Sequence, residues 1–273
     1  MINKKKISIL ITNYNTVDFI KLSLDSIQAL TKNPFQVIIN DNGSNNKDIK
    51  ELQNLEKQKK YLRINYRKSK YKEAAFAHGE ALDILIDMVD TEYFLILDSD
   101  CVMLLKNWDE YCINQIDSDV KIIGTQVASI RGVGNKNSNF PLPFASFFET
   151  KTYKSLNISC MPENTTDKDT CWQWESKYIE SNYESRLFYA KNTKEYQYGP
   201  FKSVICAEYY TKDNQLICSH FGRGSSGGVA KYNNKWWLKL LFISKFIRKY
   251  ISLKEKKRWM IICRNITDKE VSK

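Results

Sequence analysis

The sequence predicts an α/β fold, in which a doubly wound, mostly parallel, Rossmann-like sheet is followed by a basic helical extension. Two observations support this prediction. Short apolar runs alternate with longer segments of helical periodicity through the first half of the chain, which is typical of parallel strands joined by right-handed crossovers. Three of these runs also end in polar, acidic or glycine-bearing residues, as strands do where an open α/β sheet forms a ligand crevice.

The first half of the chain supplies strands and helices in regular order. Four continuous apolar runs are typical of strands that are buried on both faces of a sheet. These predicted strands cover residues 7–12, 35–40, 62–66 and 93–97. The segments between them repeat apolar residues with helical spacing. The predicted helices cover residues 18–30, 47–58 and 73–89.

The second half of the chain is less regular. It begins with a predicted strand at 120–124 and ends with a predicted helix at 235–258. Between them lie a polar, glycine-bearing loop, two aromatic-rich segments and two short strand-like runs. In that order they cover residues 131–139, then 144–148 and 172–174, then 203–206 and 215–218.

The composition is that of a folded protein, with 42% hydrophobic and 27% charged residues. The formal net charge of +11 predicts an anionic partner, such as nucleic acid, acidic lipid or a phosphorylated substrate. We expect a cytoplasmic location, because the sequence has neither an apolar stretch long enough to span a membrane nor a secretory signal pattern. The seven cysteines are odd in number and show no Cys-x-x-Cys spacing, which indicates neither a zinc site nor a disulfide framework.

Asp98 and Asp100, separated by Ser99, directly follow the apolar run at 93–97. Side chains alternate along an extended chain, so the two carboxylates can point the same way. Paired carboxylates suit Mg²⁺ or Mn²⁺, and such an ion would in turn bind a diphosphate. Because Asp and Ser are also ordinary turn residues, a solvated turn is the alternative.

The first two strands end in polar residues as well, namely Thr12-Asn13-Tyr14-Asn15 and Asn40-Asp41-Asn42-Gly43-Ser44. Parallel strands end along one edge of a sheet, so these residues are expected to lie beside the two aspartates. Turn chemistry could explain any one of the three strand ends. Together they favour a nucleotide-sized crevice at this edge.

These strand ends, together with the segment at 75–82, resemble the family 2 glycosyltransferases, enzymes of the GT-A fold that use nucleoside-diphosphate sugars. The resemblance extends over residues 7–224. It implies a metal-dependent, inverting glycosyltransferase of the hexosyltransferase type that acts in surface glycan or glycolipid synthesis. The implied cofactor is Mn²⁺ or Mg²⁺, the donor is a nucleoside-diphosphate sugar, with a UDP-sugar favoured, and the acceptor is a glycan or a lipid-linked hydroxyl.

The same resemblance implies a domain organisation. Residues 1–230 would form the GT-A domain, with a nucleotide-binding half at 1–125 and an acceptor-binding, metal-completing half at 126–230. Residues 231–273 would form the basic extension.

The resemblance also implies roles for single residues. Asp98, Asp100 and His220 would bind the metal. Asp169 would act as the base that deprotonates the acceptor hydroxyl, with Asp167 as the second candidate. The nucleotide sugar would be bound by Thr12, Asn13, Tyr14, Asp41, His78, Asp98, Ser99 and Arg223.

Within the nucleotide-sugar set, the implied contacts differ. Thr12 and Tyr14 would flank the nucleobase, and Asp41 would accept hydrogen bonds from the base or the ribose. Asp98 would reach the ribose or the waters of the metal. Arg223 could clamp the diphosphate through two parallel hydrogen bonds.

The sequence also allows other roles for single residues and other classes of protein. His78 and His220 could be packing residues, and Asp169 could belong to a solvated acidic loop. A sugar-nucleotide nucleotidyltransferase would need a glycine-rich basic loop after the first strand, but the chain has no glycine before Gly43. A non-catalytic GT-A-like nucleotide-binding or scaffold protein would keep the crevice without the chemistry. Nucleic acid is not expected as a partner, because no RNA-binding motif accompanies the positive charge.

The C-terminal segment at 236–251 is predicted to be a basic amphipathic helix. Its apolar face would contain Leu240, Ile243, Phe246, Ile247, Tyr250 and Ile251, and its polar face would contain Ser244, Lys245, Arg248 and Lys249. A helix of this type can lie on an anionic bilayer, so peripheral contact at the inner face of the membrane is one prediction. Docking on the domain or in a dimer interface is the other.

Overall fold

The computed structural model describes residues 6–128, 139–164, 168–224 and 244–273, without the side chains of 244–246. Within these ranges the chain forms ten strands and seven helices. In chain order they are β1 (Ile7–Asn13), α1 (Val17–Leu30), β2 (Phe35–Asp41), α2 (Asn46–Gln58), β3 (Leu62–Tyr66), α3 (Ala74–Asp87), β4 (Tyr93–Leu97), β5 (Cys101–Met103), α4 (Trp108–Ile113), β6 (Val120–Thr125), β7 (Leu142–Glu149), α5 (Thr150–Ser155), α6 (Gln173–Glu180), β8 (Glu184–Asn192), β9 (Ala207–Tyr210), β10 (Leu216–His220) and α7 (Ser244–Ser272).

Four parallel strands form one half of the sheet. β1 pairs with β2 and with β4, and β2 pairs with β3. Alternate residues of β1 pack on opposite faces: Ile9 and Ile11 lie in a core with α1 and α2, whereas Leu10 lies in a core with α3. Because helices cover both faces, this half is doubly wound, and the predicted α/β fold class is confirmed.

The other half of the sheet is mostly antiparallel. β7 pairs in antiparallel fashion with β4 and β6, β8 runs parallel to β6, and β9, β10 and β5 continue in antiparallel order. The full order is β3-β2-β1-β4-β7-β6-β8-β9-β10-β5. Since β5 follows β4 in the chain after a short turn, its pairing with β10 brings the end of β10 to the carboxyl end of β4.

The segment at 144–148, predicted only as aromatic-rich, lies within strand β7. Phe147 packs into the core on one face of the sheet and Phe148 into the core on the other. A strand that is buried on both faces shows no alternation of apolar and polar residues. The run of aromatic residues therefore indicates a central strand of the sheet.

The prediction of a strand at 203–206 is wrong. That segment forms turns and bends, and the strand is β9, which begins one residue later and contains Glu208. The Glu208 carboxylate is fully buried and accepts hydrogen bonds from the Phe201 amide at 2.8 Å and from the Tyr210 hydroxyl at 2.6 Å. These two donors allow an acidic residue to occupy a core strand.

The C-terminal helix α7 ends at Ser272, so the predicted end at residue 258 is wrong. Residues 235–243 of the predicted helix lie outside the described residues, as does most of the loop at 131–139. Tyr250, predicted on the apolar face, is 68% exposed. No helix in the described ranges combines the length and the apolar character that crossing a bilayer requires.

Trp259 anchors α7 to the rest of the protein. Its side chain is fully buried, and its ring centroid lies 5.8 Å from that of Phe19 in α1 and 5.5 Å from that of Phe221. The indole Nε1 donates to the Ser219 hydroxyl of β10 at 2.9 Å. Aromatic contacts and a satisfied indole N–H add to the energy of burial, so α7 is held against both α1 and β10.

Replacement of Trp259 should measure this anchoring. Trp259→Ala should lower the free energy of unfolding by about 3 to 5 kcal/mol, because it leaves a cavity among aromatic rings. Tyr250→Ala, on the exposed part of the same helix, should change it by less than about 0.5 kcal/mol. Urea unfolding followed by circular dichroism measures both values. Equal losses would mean that α7 does not dock through Trp259.

Candidate metal and nucleotide site

Asp98 and Asp100 occupy the turn between β4 and β5, and His220 ends β10. The Asp98 amide donates to the Phe144 carbonyl of β7 at 2.9 Å, and the Cys101 amide donates to the Asp98 carbonyl at 2.9 Å. These bonds close the turn. In the pairing of β10 with β5, His220 lies opposite Cys101. Two neighbouring strands thus bring the three side chains together.

The three side chains form a compact cluster. The His220 Nε2 atom lies 3.1 Å from Asp100 Oδ1 and 3.6 Å from Asp98 Oδ2, and one ligand atom from each residue lies within 4.8 Å of the others. The Phe144 ring stacks on the His220 imidazole with centroids 4.4 Å apart, which fixes its orientation. Two carboxylates and an imidazole are a donor set that fits a divalent cation such as Mn²⁺ or Mg²⁺.

Asp100 is buried and ionised. Its Oδ2 atom accepts a hydrogen bond from the Arg223 amide at 2.7 Å, and the Gly224 amide also hydrogen-bonds to the carboxylate. Burial raises the pKa of Asp100, but His220 and these two amides outweigh burial and hold the pKa at about 2. A negatively charged ligand is therefore in place at neutral pH.

Asp98 and His78 are shifted toward their neutral forms. Burial raises the pKa of Asp98 to about 7, against the opposing effect of His220 and with a further contribution from Asp100. Burial lowers the pKa of His78 to about 4, although the charge of Asp169 raises it. The His78 Nε2 atom lies 3.8 Å from Asp98 Oδ1 and has no hydrogen-bond partner among the described residues. Since buried polar atoms normally have one, this nitrogen fits a group bound beside Asp98.

Asp41 fixes the loop that follows β2. Its Oδ1 atom accepts the amides of Gly43 and Ser44 at 3.1 and 2.9 Å, and its Oδ2 atom accepts Asn13 Nδ2 at 2.7 Å and the Ser44 hydroxyl at 2.6 Å. The Gly43 φ of +85° is the left-handed conformation that this turn requires. The buried carboxylate thus joins the ends of β1 and β2 into one rigid edge. Its contact with a base or ribose stays a prediction.

An exposed aromatic ring stands at the same edge. Tyr14, just past the end of β1, is 51% exposed, while Thr12 within β1 is half-buried. Ser99 is half-buried in the turn between the two aspartates. A free ring face beside a polar strand edge suits a nucleobase, although the roles of these three residues stay predictions.

Asp169 lies in a loop that contacts α3. The Thr170 amide donates to Asp169 Oδ1 at 2.8 Å, and the Thr170 hydroxyl donates to the Ala75 carbonyl at 3.1 Å. The charge of Asp169 raises the pKa of His78, so these two side chains interact electrostatically. The second candidate base, Asp167, lies outside the described residues.

The contact between α3 and this loop depends on a glycine. A Cβ atom on Gly79 would lie 2.6 Å from the carbonyl oxygen of Cys160, so no side chain fits there. One turn later, the Asp83 carboxylate accepts the Cys160 amide at 2.6 Å and the Ser159 hydroxyl at 2.7 Å. Residues 159 and 160 are therefore held against α3 by a backbone contact at Gly79 and by the side chain of Asp83.

The Arg223 side chain does not lie in the predicted position. Its guanidinium is buried, with Nη1 at 2.5 Å from Glu255 Oε2 of α7, and Nη2 donates to the Ile205 carbonyl. The guanidinium also lies over the Phe221 ring. The structure thus directs this group toward α7 instead of toward a diphosphate, because a buried arginine needs a carboxylate partner. The backbone amide of Arg223 reaches the cluster.

Two residues of this site were not predicted from the sequence. Phe144, which orients His220, lies in a segment whose aromatic content was the only available signal. Glu255 has no such signal, because a charged residue in a basic helix is typical of a solvated surface.

One family model matches a large part of the chain. The family model described as Glycosyl transferase family 2 matches residues 8–182, which is more than half of the chain and includes both aspartates of the cluster. A comparison with curated proteins gives no match.

Several solved structures are similar to the chain. The mannosyltransferase PcManGT from Pyrobaculum calidifontis, in complex with GDP-Man and Mn²⁺, is 14% identical with a TM-score of 0.53, over 67% of this chain and 55% of that one. S. aureus TarS 1-349 is 18% identical with a TM-score of 0.48, over 67% and 57%. Its complex with UDP-GlcNAc is 16% identical with a TM-score of 0.49, over 67% and 55%. The chain thus spans a little over half the length of these proteins, and the likeness to PcManGT shows a shared fold.

Ionisation of Asp98 should destabilise the metal-free protein. Because its folded pKa of about 7 lies above the ordinary 3.8, its contribution to stability is complete below about pH 4 and is lost as the pH rises through 7. Asp98→Asn keeps the size and removes the titration. From pH 4 to 8 its free energy of unfolding should therefore rise relative to wild type by on the order of 2 to 4 kcal/mol, at about 1.4 kcal/mol per pKa unit.

Urea unfolding in the presence of EDTA, repeated across this pH range, measures the difference. A difference between variant and wild type that stays constant with pH would contradict the shifted titration of Asp98.

Proposed function

The chain belongs to glycosyl transferase family 2, and we propose that it transfers a sugar from a nucleoside-diphosphate sugar to an acceptor hydroxyl with the help of a divalent cation. The observation that carries this proposal is the cluster of Asp98, Asp100 and His220, which lies at the carboxyl end of the parallel strands. Ligand crevices of open α/β sheets form at this edge.

Asp98, Asp100 and His220 would hold the cation. Asp100 is already ionised and fixed by two backbone amides. Asp98 would supply the second carboxylate, since a neighbouring positive charge favours its ionised form. A cation held there supplies Lewis acidity that stabilises the charge of the departing nucleoside diphosphate. Mn²⁺ and Mg²⁺ both suit oxygen-rich donor sets.

The nucleoside would lie along the edge formed by the ends of β1 and β2. Tyr14 offers an exposed ring for the base, and the network of Asp41 and Asn13 keeps the edge in place. His78 is neutral near pH 7 because burial lowers its pKa to about 4, so its imidazole can hydrogen-bond to the donor without adding charge. A UDP-sugar, favoured by the resemblance of the strand ends, is the first donor to test.

Asp169 would act as the base. Its carboxylate would take the proton of the acceptor hydroxyl as the hydroxyl oxygen attacks the anomeric carbon. The bond to the diphosphate oxygen breaks as the new bond forms, and the nucleoside diphosphate leaves with the bonding electrons. A single displacement of this kind inverts the anomeric configuration. The electrostatic interaction of Asp169 with His78 supports this role.

Two variants should separate binding from transfer. Asp100→Asn removes the fixed charge of the cluster, so metal-dependent binding of a nucleoside diphosphate should weaken by about 10- to 100-fold. Asp169→Asn should leave that binding unchanged and lower transfer by about 10²- to 10⁴-fold. Calorimetric titration of UDP and GDP with Mn²⁺, and assays of donor hydrolysis and transfer, measure these effects.

Asp213→Asn is the matched control, because it removes one exposed carboxylate in the loop between β9 and β10. Wild-type metal-dependent turnover in Asp100→Asn would refute the metal assignment. Nucleotide binding without metal dependence and without turnover would instead favour a non-catalytic nucleotide-binding protein.

We further propose that α7 contacts the inner face of an anionic membrane. Such contact would fit a lipid-linked acceptor in glycan or glycolipid synthesis. The exposed apolar side chains of α7 include Tyr250, Leu253 and Ile261. Exposed basic residues lie among them at helical spacing, namely Lys254, Lys257, Arg258 and Arg264. This mixture of basic and apolar residues suits an anionic lipid surface, while Trp259 points the other way.

Charge reversal on this surface should abolish membrane contact. A variant with Lys254, Lys257 and Arg258 changed to glutamate should bind vesicles that contain phosphatidylglycerol at least about 100-fold more weakly, at about 1 kcal/mol per basic residue. Vesicle flotation measures the change. Substitution is preferable to deletion of the extension, because deletion would also remove Trp259.

The matched control reverses the same number of charges on α2, at the exposed residues Lys47, Lys50 and Lys57. It should keep most of the binding. Equal losses of vesicle binding in the two variants would indicate attraction by net charge alone and would contradict the α7 proposal. Wild-type protein that does not float with the vesicles would contradict it as well.

A further inference from the structure

We propose that Glu255 of α7 is a positioning residue for the candidate metal site and acts through Arg223. It would hold residues 221–224 in the conformation in which the Arg223 and Gly224 amides donate to the Asp100 carboxylate. In this conformation the His220 ring also lies beside Asp100. The inference rests on the proposed function, because that function assigns the cluster to a cation.

Residues 221–224 wrap around Asp100. The Phe221 amide donates to the Asp100 carbonyl at 2.9 Å, and the Arg223 amide donates to the Asp100 carboxylate at 2.7 Å. Between them, Gly222 has a φ of +66°, a left-handed conformation that lets the chain turn at this point. Any displacement of this segment would therefore remove hydrogen bonds from Asp100.

The side chain of the same arginine is buried against Glu255. The Arg223 side chain is 0% exposed, and its Nη1 atom lies 2.5 Å from Glu255 Oε2. Loss of the Glu255 charge would remove a carboxylate partner from the buried guanidinium, at a high cost. The guanidinium would then move toward water. Because the guanidinium and the amide belong to one residue, that movement would pull the amide away from Asp100.

The helix holds Glu255 in a fixed place. Trp259, one turn later, packs against the Phe19 ring of α1 with ring centroids 5.8 Å apart. Its indole Nε1 donates to the Ser219 hydroxyl of β10 at 2.9 Å. α7 is thus bound to the two elements that flank the ion pair, so Glu255 acts as a rigid anchor for the segment that follows β10.

Glu255→Gln tests this role, because it keeps the shape of the side chain and removes its charge. In the metal-free protein, hydrogen exchange of the Arg223 and Gly224 amides should accelerate. Mn²⁺ affinity, measured by electron paramagnetic resonance of the free ion, should fall by about 10- to 100-fold, the usual effect of losing a group that orients a metal ligand. Glu255→Asp, which keeps the charge, should retain most of the affinity.

Lys256→Ala is the matched control. It breaks the solvent-accessible ion pair of Lys256 with Asp18 of α1, 3.2 Å apart, but keeps Trp259, so it should leave both the exchange rates and the Mn²⁺ affinity unchanged. Wild-type exchange and wild-type affinity in Glu255→Gln would overturn the positioning role and leave the proposed function intact. Equal losses in Glu255→Gln and Lys256→Ala would show a general loosening of α7 and would also overturn it. A wild-type protein that binds no Mn²⁺ would overturn the proposed function. Hydrogen exchange of the Arg223 and Gly224 amides, compared between wild type and Glu255→Gln, would still show whether Glu255 holds residues 221–224 in place.

Discussion

The buried negative charge of Asp100 is the constraint on which the arrangement of the site depends. A carboxylate with 5% exposure has lost its hydration, and only several polar partners together can replace it. Here they are the imidazole of His220 and the amides of Arg223 and Gly224, about 120 residues further along the chain. The pairing of β5 with β10 delivers all of them at once. Without that pairing the carboxylate would have to take up a proton or move to the surface.

The two halves of the sheet make different contributions. The parallel half aligns the ends of β1, β2 and β4 along one edge, which gives a crevice but only acidic and neutral side chains. The antiparallel half returns the chain to that edge and adds His220 together with a stretch of backbone amides. The site therefore needs both halves of the mixed sheet. The parallel strands place their carboxyl ends along one edge, and the antiparallel strands bring residues from a distant part of the chain to that edge.

The parallel half could be predicted closely, because its strands are continuous apolar runs and its helices have regular spacing. β7 was harder to predict, since Phe147 and Phe148 pack on opposite faces and no alternation marks the strand. Within the site, the polar residues at the strand ends could be predicted from the sequence. The pair of Arg223 and Glu255 could not be predicted in this way, because it depends on where α7 docks on the rest of the protein.

The absence of a side chain at Gly79 brings two main chains together. A Cβ atom there would lie 2.6 Å from the backbone carbonyl oxygen of Cys160, so α3, which carries His78, and the loop that contains Cys160 meet backbone to backbone. A contact between two main chains cannot be relieved by a change of rotamer, as a contact between long side chains can. Even the methyl group of alanine at this position would therefore push the loop away from the helix that carries His78.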